Sequence, residues 1–178
     1  PLSVPVQKTP LLQDLLLGRA RINDIRDLEI EDLLGREPVS PDNAMVTASL
    51  FEKNVLVTGA GGSIGSELCR QILRQRPAQL VLFEQSEFSL YAIERELQSI
   101  NRVEDLGVEL HAALGSVMQR RRCAAVMRAF GIHTVYHAAA YKHVPLVEHN
   151  VIEGVQNNTF GTWHLAEAAI ETGVERFV

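Results

Sequence analysis

Four glycines lie within seven positions in residues 59–65, whose sequence is GAGGSIG. In a loop between a strand and a helix, Gly59 permits a tight turn and Gly62 lets the main chain approach a pyrophosphate. Gly65 allows the helix to lie close to the sheet, and the free N–H groups at a helix start attract phosphate. The loop lacks the Gly-Lys-Ser/Thr ending of a P-loop, so it predicts dinucleotide binding rather than nucleoside triphosphate hydrolysis.

An acidic residue, Glu84, lies nineteen positions after Gly65, at the end of the next apolar run. A carboxylate at that position is expected to hydrogen-bond the 2′-hydroxyl of a ribose. A 2′-phosphate beside it would be repelled by about 4 kcal/mol, for charges about 4 Å apart at an effective dielectric near 20. The sequence therefore favours NAD over NADP, unless Glu84 swings out and Gln85 and Ser86 receive the phosphate.

From Asn54 onward, short apolar runs alternate with helical patterns. Strands are predicted at 55–57, 80–83, 108–111 and 134–136, and a fifth opens at 177–178. Helices are predicted at 64–75, 87–100 and 117–130, followed by a long helix that ends near Gly173. Apolar strands separated by helices indicate a parallel sheet covered on both faces. With right-handed crossovers, this is a doubly wound α/β (Rossmann) sheet, truncated after its fifth strand.

The first fifty residues differ in character from the rest, because prolines punctuate two short helix candidates. The candidates are residues 11–17, ended by Gly18, and residues 24–34, ended by Gly35. We therefore predict an N-terminal helical linker arm over 1–50 and the N-terminal part of an NAD(P)-binding domain over 51–178. The arm could pack on the domain or join it to an upstream segment.

The composition limits the classes of protein. The 178 residues are 46% hydrophobic and 22% charged, as in a packed globular domain. The net charge of −5 argues against nucleic-acid binding, and the arginine run 120–122 is interpreted as a solvated helix face. Cys69 and Cys123 match no metal or disulfide spacing, which predicts a reducing, cytoplasmic setting. No apolar stretch approaches about eighteen residues, so neither a membrane span nor a signal peptide is predicted.

Histidines are the remaining candidates for chemistry. Five of the six lie between His133 and His164, and their spacing offers no tetrahedral ligand set. No Ser/His/Asp arrangement can be argued either. We therefore predict no metal site within the chain.

Three segments are more specific than the glycine loop alone. They are 57–67 (VTGAGGSIGSE), 83–87 (FEQSE) and 137–148 (HAAAYKHVPLVE). Together they resemble the membrane-anchored bacterial nucleotide-sugar dehydratases of polysaccharide biosynthesis, the UDP-N-acetylglucosamine 4,6-dehydratases, which are extended short-chain dehydrogenases/reductases. The segment 25–36 (IRDLEIEDLLGR) is similar to the one that joins their membrane portion to the catalytic domain. The resemblance thus covers essentially the whole chain.

The resemblance implies a set of cofactor contacts. The pyrophosphate would be held by Gly59, Gly62, Ser63, Ile64 and Gly65. The adenosine ribose would meet Glu84 and Ser86, with Gln85 between them. The adenine would lie against Ser116 and Val117, where Ser116 stands in place of an aspartate that relatives often carry. The remaining cofactor contacts would come from Ala138, Ala139, Ala140 and Asn158.

The resemblance also implies a substrate and a reaction. Lys142 and His143 would bind the UDP-sugar. In such enzymes NAD(P)+ takes hydride from C4 of the sugar, water leaves across C5 and C6, and hydride returns at C6. This chemistry serves O-antigen, lipopolysaccharide or capsule synthesis at the cytoplasmic face of the inner membrane, and we expect a homo-oligomer.

The acid and base of these relatives follow their fifth strand, in a Ser/Thr-Asp-Lys segment and a Tyr or Met three residues ahead of a lysine. The chain ends at Val178, before any such residues. We therefore assign no catalytic residue and expect no turnover from these 178 residues alone. A nucleotide-sugar epimerase and a non-catalytic dinucleotide-binding regulatory module remain the alternatives.

Overall fold

A computed structural model describes residues 7–9, 16–17, 21, 26–27 and 50–178 of the chain. The chain divides into two compact units, Pro1–Pro41 and Asp42–Val178. The assignment of residues 1–50 to an arm and 51–178 to a nucleotide-binding domain stays a prediction.

In the first unit, strand β1 (Gln7–Lys8) pairs antiparallel with strand β2 (Arg26–Asp27). The prediction of a helix over 24–34 is therefore wrong at Arg26 and Asp27. An isolated helix of that length is marginal in water, and pairing with a distant segment satisfies the same backbone groups. Of the candidate helix 11–17, only Leu16, which is helical, and Leu17, in a turn, are described. The other residues of both candidates lie outside the described residues.

The second unit is built on five parallel strands. They are β3 (Asn54–Thr58), β4 (Gln79–Glu84), β5 (Glu109–Leu114), β6 (Thr134–His137) and β7 (Arg176–Phe177). Their order across the sheet is β5-β4-β3-β6-β7. The chain therefore winds outward from β3 to one edge and then returns to wind outward on the other side. This topology confirms the predicted doubly wound sheet. Strand β5 extends to Leu114, beyond the predicted His111, because it pairs with β4 along its whole length.

Helices connect the strands. They are α1 (Ser63–Arg74), α2 (Glu87–Val103), α3 (Arg120–Ala129), α4 (Val144–His149), α5 (Val151–Val155), a π-helix (Gln156–Gly161) and α6 (Thr162–Thr172). The long helix predicted before Gly173 is thus interrupted. The break falls at Asn150, whose side chain bonds to the carbonyl of Leu146 at 2.9 Å and so competes with the helical backbone. Helix α3 begins three residues later than predicted, because Ser116 forms a turn with the amide of Met118.

Both faces of the sheet are covered by helices, as predicted. Leu56 and Val81 belong to a buried cluster with α3 and α6. Their strand neighbours Val57 and Leu82 belong to a second buried cluster, with α1 and α2. This alternation is the period of two expected for strands, and it leaves the carboxyl ends of the strands as the accessible edge. Among the helices of the described residues, none is both long and apolar enough to cross a membrane.

Candidate functional site

The glycine loop joins β3 to α1, and three of its four glycines are required by close packing. Gly59 has φ of +64°, and a Cβ there would lie 2.7 Å from the carbonyl oxygen of Ala138. A Cβ on Gly65 would overlap the carbonyl oxygen of Gly59, and one on Gly61 would overlap the side chain of Ser89. A Cβ on Gly62 would meet only the Gly59 carbonyl oxygen, at 3.2 Å. Gly62 is therefore the position where the loop is open to the cleft.

The backbone amides of the loop divide into two groups. Those of Ala60, Gly61 and Gly62 donate to groups within the protein. The next amides belong to Ser63 and Ile64 in the first turn of α1, where N–H groups have no intrahelical acceptor. These helix-start amides, rather than those of the preceding glycines, are available to an anionic ligand.

Glu84 ends β4 and is held by three backbone amides. Its Oε2 accepts from the amide of Gly61 at 3.1 Å. Its Oε1 accepts from the amides of Gln85 and Ser86, at 2.8 and 3.0 Å. An ionised carboxylate offers about four acceptor positions, so one remains on Oε2 for a further donor such as a hydroxyl.

A cavity of about 110 Å³ lies at the carboxyl ends of β3, β4 and β6. Most of the predicted cofactor residues line it: Gly59, Gly62, Glu84, Gln85, Ser116, Val117, Ala138, Ala139 and Ala140. Phe83 forms part of the lining, and a Cβ on Gly115 would meet its ring at 2.8 Å. Because the sheet order reverses between β3 and β6, the cavity lies at the topological switch point, where doubly wound folds bind ligands.

A larger cavity, of about 810 Å³, adjoins the first one. The two share Gly62, Ala138, Ala140 and Tyr141 in their linings. The predicted contacts Ser63, Ile64, Lys142 and His143 line the larger cavity. The structure thus places Ser63 and Ile64 beside the predicted substrate residues instead of beside Glu84.

Lys142 contacts the glycine loop directly. Its exposed side chain donates from Nζ to Oγ of Ser63, at the start of α1. His143 is exposed and precedes the first residue of α4. The lysine therefore brings a positive charge to the helix end whose amides are free.

Three predicted cofactor residues line neither cavity. Gly65 packs against the turn at Gly59. Ser86 caps α2 through its Oγ, which accepts from the amide of Ser89 at 3.3 Å. Asn158 lies behind Tyr141: its Oδ1 accepts from the Tyr141 amide at 2.8 Å and its Nδ2 donates to the Tyr141 carbonyl at 2.9 Å. Each of the three therefore contacts backbone groups near the cavities.

The sequence interpretation missed one polar cluster beneath the cleft. His137, the last residue of β6, has its Nδ1 2.7 Å from Oγ1 of Thr58 and its Nε2 2.8 Å from Oγ1 of Thr162. Burial lowers the pKa of His137. A signal was available, because Thr58 and His137 are polar residues that end two apolar strands. Within the described residues, no three His, Cys, Asp or Glu side chains are grouped to hold a metal ion.

Comparison with known proteins identifies a family for this chain. Residues 55–178 match the family described as polysaccharide biosynthesis protein. The chain belongs to this family. It is 44% identical to the capsular polysaccharide biosynthesis protein CapD of Staphylococcus aureus over 177 residues, covering 98% of the chain and 29% of that relative. It is 43% identical to the probable polysaccharide biosynthesis protein EpsC of Bacillus subtilis (strain 168) over 175 residues, with the same coverage of each. The chain thus spans less than a third of the length of these relatives.

More distant relatives extend the likeness. A UDP-N-acetylglucosamine 4,6-dehydratase (inverting) of Campylobacter jejuni is 29% identical over 128 residues, which cover 71% of the chain and 35% of that protein. Among solved structures, Pen from Bacillus thuringiensis matches with a TM-score of 0.65 and 30% identity, over 72% of the chain and 38% of Pen. The UDP-glucose-4-epimerase of Stenotrophomonas maltophila, solved with NAD and formylated UDP-arabinopyranose, has a TM-score of 0.61 and 28% identity, over 70% of the chain and 35% of the epimerase. These likenesses confirm the Rossmann-type fold.

Proposed function

We propose that this chain is the NAD-binding part of a nucleotide-sugar 4,6-dehydratase that acts on UDP-N-acetylglucosamine in surface polysaccharide biosynthesis. One observation carries the proposal. The open glycine, Gly62, and the free amides at the start of α1 lie at the switch point of the sheet, with Glu84 on one side and Lys142 on the other. A dinucleotide has the matching order of parts: a ribose with hydroxyls, a diphosphate, and a second nucleoside.

The residues present fit such a ligand. The two cavities meet at Gly62, Ala138 and Ala140, where glycine and alanine leave room for an extended molecule to pass. The adenosine would occupy the smaller cavity, with its 2′-hydroxyl on the remaining acceptor position of Glu84. The diphosphate would be held by the amides of Ser63 and Ile64. When bound, the dinucleotide would exchange hydride with the sugar.

The larger cavity is the proposed substrate site. Its volume of about 810 Å³ is in the range of small-molecule sites, and Lys142 offers a cation to the diphosphate of a UDP-sugar. The name of the Campylobacter relative supports UDP-N-acetylglucosamine as the sugar nucleotide.

We also propose a cytoplasmic location, because both cysteines are free and buried. We propose self-association as well, because Phe160 and Trp163 stack on an exposed helix surface.

The competing proposal is a nucleotide-sugar epimerase, which the likeness to the Stenotrophomonas epimerase favours. The two reactions differ in mass balance, since dehydration removes one water from the sugar and epimerisation removes nothing. Mass spectrometry of the products from UDP-N-acetylglucosamine and UDP-glucose, with the whole protein, distinguishes them. A product of unchanged mass would overturn the dehydratase proposal.

Cofactor binding is tested by calorimetric titration of the chain with NAD+ and NADP+, using Gly62→Val as the variant. The Cβ of the new side chain has only one close neighbour within the protein, the Gly59 carbonyl oxygen at 3.2 Å, and its methyl groups would extend into the cleft. Wild type should bind NAD+ and the variant should not. Ala125→Val, at an exposed position on α3, is the control and should bind like wild type. Equal binding by Gly62→Val and wild type would refute the assignment of the loop.

A further inference from the structure

We propose that His137 is a positioning residue of the cofactor cleft. As a neutral imidazole protonated on Nε2, it keeps Asn158 at a fixed position relative to the glycine loop. No contact with cofactor or substrate is required of it. The effect on cofactor affinity rests on the proposed function, whereas the protonation state and the link to Asn158 do not.

The hydrogen bonds around His137 determine its tautomer. The hydroxyl of Thr162 has one proton, which it donates to the carbonyl oxygen of Asn158 at 2.8 Å. Its Oγ1 can therefore only accept from His137, so Nε2 must carry the proton of that 2.8 Å bond. The Nδ1 atom is then an acceptor, and it receives the hydroxyl proton of Thr58 at 2.7 Å. In this arrangement each hydroxyl or N–H proton of the Thr58, His137 and Thr162 side chains has an acceptor.

These bonds belong to a closed ring of contacts around the cleft. Thr58 directly precedes Gly59, so one end of the ring is the glycine loop. From Thr162 the ring continues to Asn158, which holds the backbone of Tyr141 by two hydrogen bonds. The next residue, Lys142, donates to Ser63 and so returns to the glycine loop. His137 is the link that ties β3 to Thr162, the residue that directly follows the π-helix bearing Asn158.

The two sides of the ring differ in exposure. Lys142 and Tyr141 are exposed, and a contact made by an exposed lysine is weakened by water and salt. Thr58 is fully buried and His137 is half-buried, so the bonds on their side are shielded. The side-chain partners of His137 on β3, β7 and α6 are Thr58, Phe177 and Thr162, none of which is charged, and its backbone amide donates to the carbonyl oxygen of Val178 at 2.8 Å. The buried side is therefore the one that maintains the geometry.

The π-helix explains why a separate anchor is useful there. It spans Gln156–Gly161, and it contains both Asn158 and the buried Asn157, whose Nδ2 donates to Oδ1 of Asn158 at 3.0 Å. Such wide turns are rare, and they occur frequently at functional sites. The bond from His137 to Thr162 holds the first residue after this turn, and thereby the placement of Asn158.

The tautomer can be measured without any variant. In the wild-type chain, the imidazole ¹⁵N spectrum of His137 near neutral pH should show a protonated Nε2 and an unprotonated Nδ1. A protonated Nδ1, either as the other neutral form or as the cation, would overturn the proposal.

The link to the cleft is tested with Thr162→Val and the matched control Thr172→Val. Both threonines lie in α6 and donate to the carbonyl four residues earlier at 2.8 Å, but only Thr162 contacts His137. Thr162→Val should speed hydrogen exchange at the Tyr141 amide, which is bonded to Asn158, and it should raise the Kd for NAD+ roughly tenfold, equivalent to one net hydrogen bond. Thr172→Val should change neither, and thermal unfolding of both variants reports their folding.

The outcomes separate the two proposals. Equal effects of both variants on Tyr141 exchange would overturn the positioning role of His137. If wild type binds no NAD+ while Thr162→Val still exposes the Tyr141 amide selectively, the proposed function fails and the link from Thr162 to the cleft stands, while the ¹⁵N spectrum decides the part played by His137.

Discussion

Gly65→Ala should destabilise the protein although it places a better helix former in α1. A Cβ at Gly65 would overlap the carbonyl oxygen of Gly59 and would lie 2.7 Å from its carbonyl carbon and 3.1 Å from Cα of Ala60. Ordinary carbon contacts are about 3.5–4.0 Å, so the loop must move by about 1 Å. Overpacking costs roughly 1–3 kcal/mol, and main-chain obstacles, which cannot rotate away, place this case near 3. Alanine recovers about 1 kcal/mol of helix propensity. The net loss should therefore be about 2 kcal/mol.

The matched control is Gly154→Ala, which is also a helical glycine. Its new Cβ would meet Cγ1 of Val147 at 2.7 Å, and this half-buried side chain on a short helix can shift more easily than main chain can. We expect this variant to stay within about 1 kcal/mol of wild type, since the gain in helix propensity offsets the contact. The assay is urea unfolding of wild type and both variants. The free energies of unfolding are compared after checking that the slope of free energy against urea concentration is the same in all three proteins. If Gly65→Ala proved as stable as Gly154→Ala, the close approach of α1 to the turn would not be what requires glycine at position 65.

Two further predictions concern charge. Glu84→Ala should narrow the ratio of NAD+ to NADP+ affinity by about tenfold or more, because it removes the carboxylate that would repel a 2′-phosphate. An unchanged ratio in calorimetric titrations would argue against a ribose role for this residue. Burial lowers the pKa of His137 below its ordinary 6.5, so the unfolded chain binds this proton more tightly than the folded chain. This difference in pKa contributes to the stability of the folded protein. The contribution is complete above pH 6.5 and is lost as the pH falls towards the folded-state pKa. The free energy of unfolding should fall less in His137→Gln than in wild type when both are measured over this pH range. The same dependence of this free energy on pH in both proteins would contradict the lowered pKa of His137.

Much of the fold follows from local patterns. The strands appear where the sequence has apolar runs such as Leu80 and its neighbours, because a strand buried on both faces needs an apolar side chain at nearly every position. The failures have two different causes. Asn150 interrupts a helical pattern through its own side chain, and Arg26 pairs with a distant strand that periodicity within residues 24–34 cannot report.

The sequence by itself determined the glycine loop and the presence of a carboxylate at Glu84, because turn chemistry and the apolar run before each turn depend on neighbours along the chain. Only the tertiary structure decided that the Glu84 carboxylate is held by amides from its own turn and from the glycine loop. It also decided that His137 lies between two threonines. Thr58 and His137 are 79 positions apart, and they meet because β3 and β6 pair in parallel with these residues in register. Strand register is set by the packing of the whole sheet, so no local pattern specifies it.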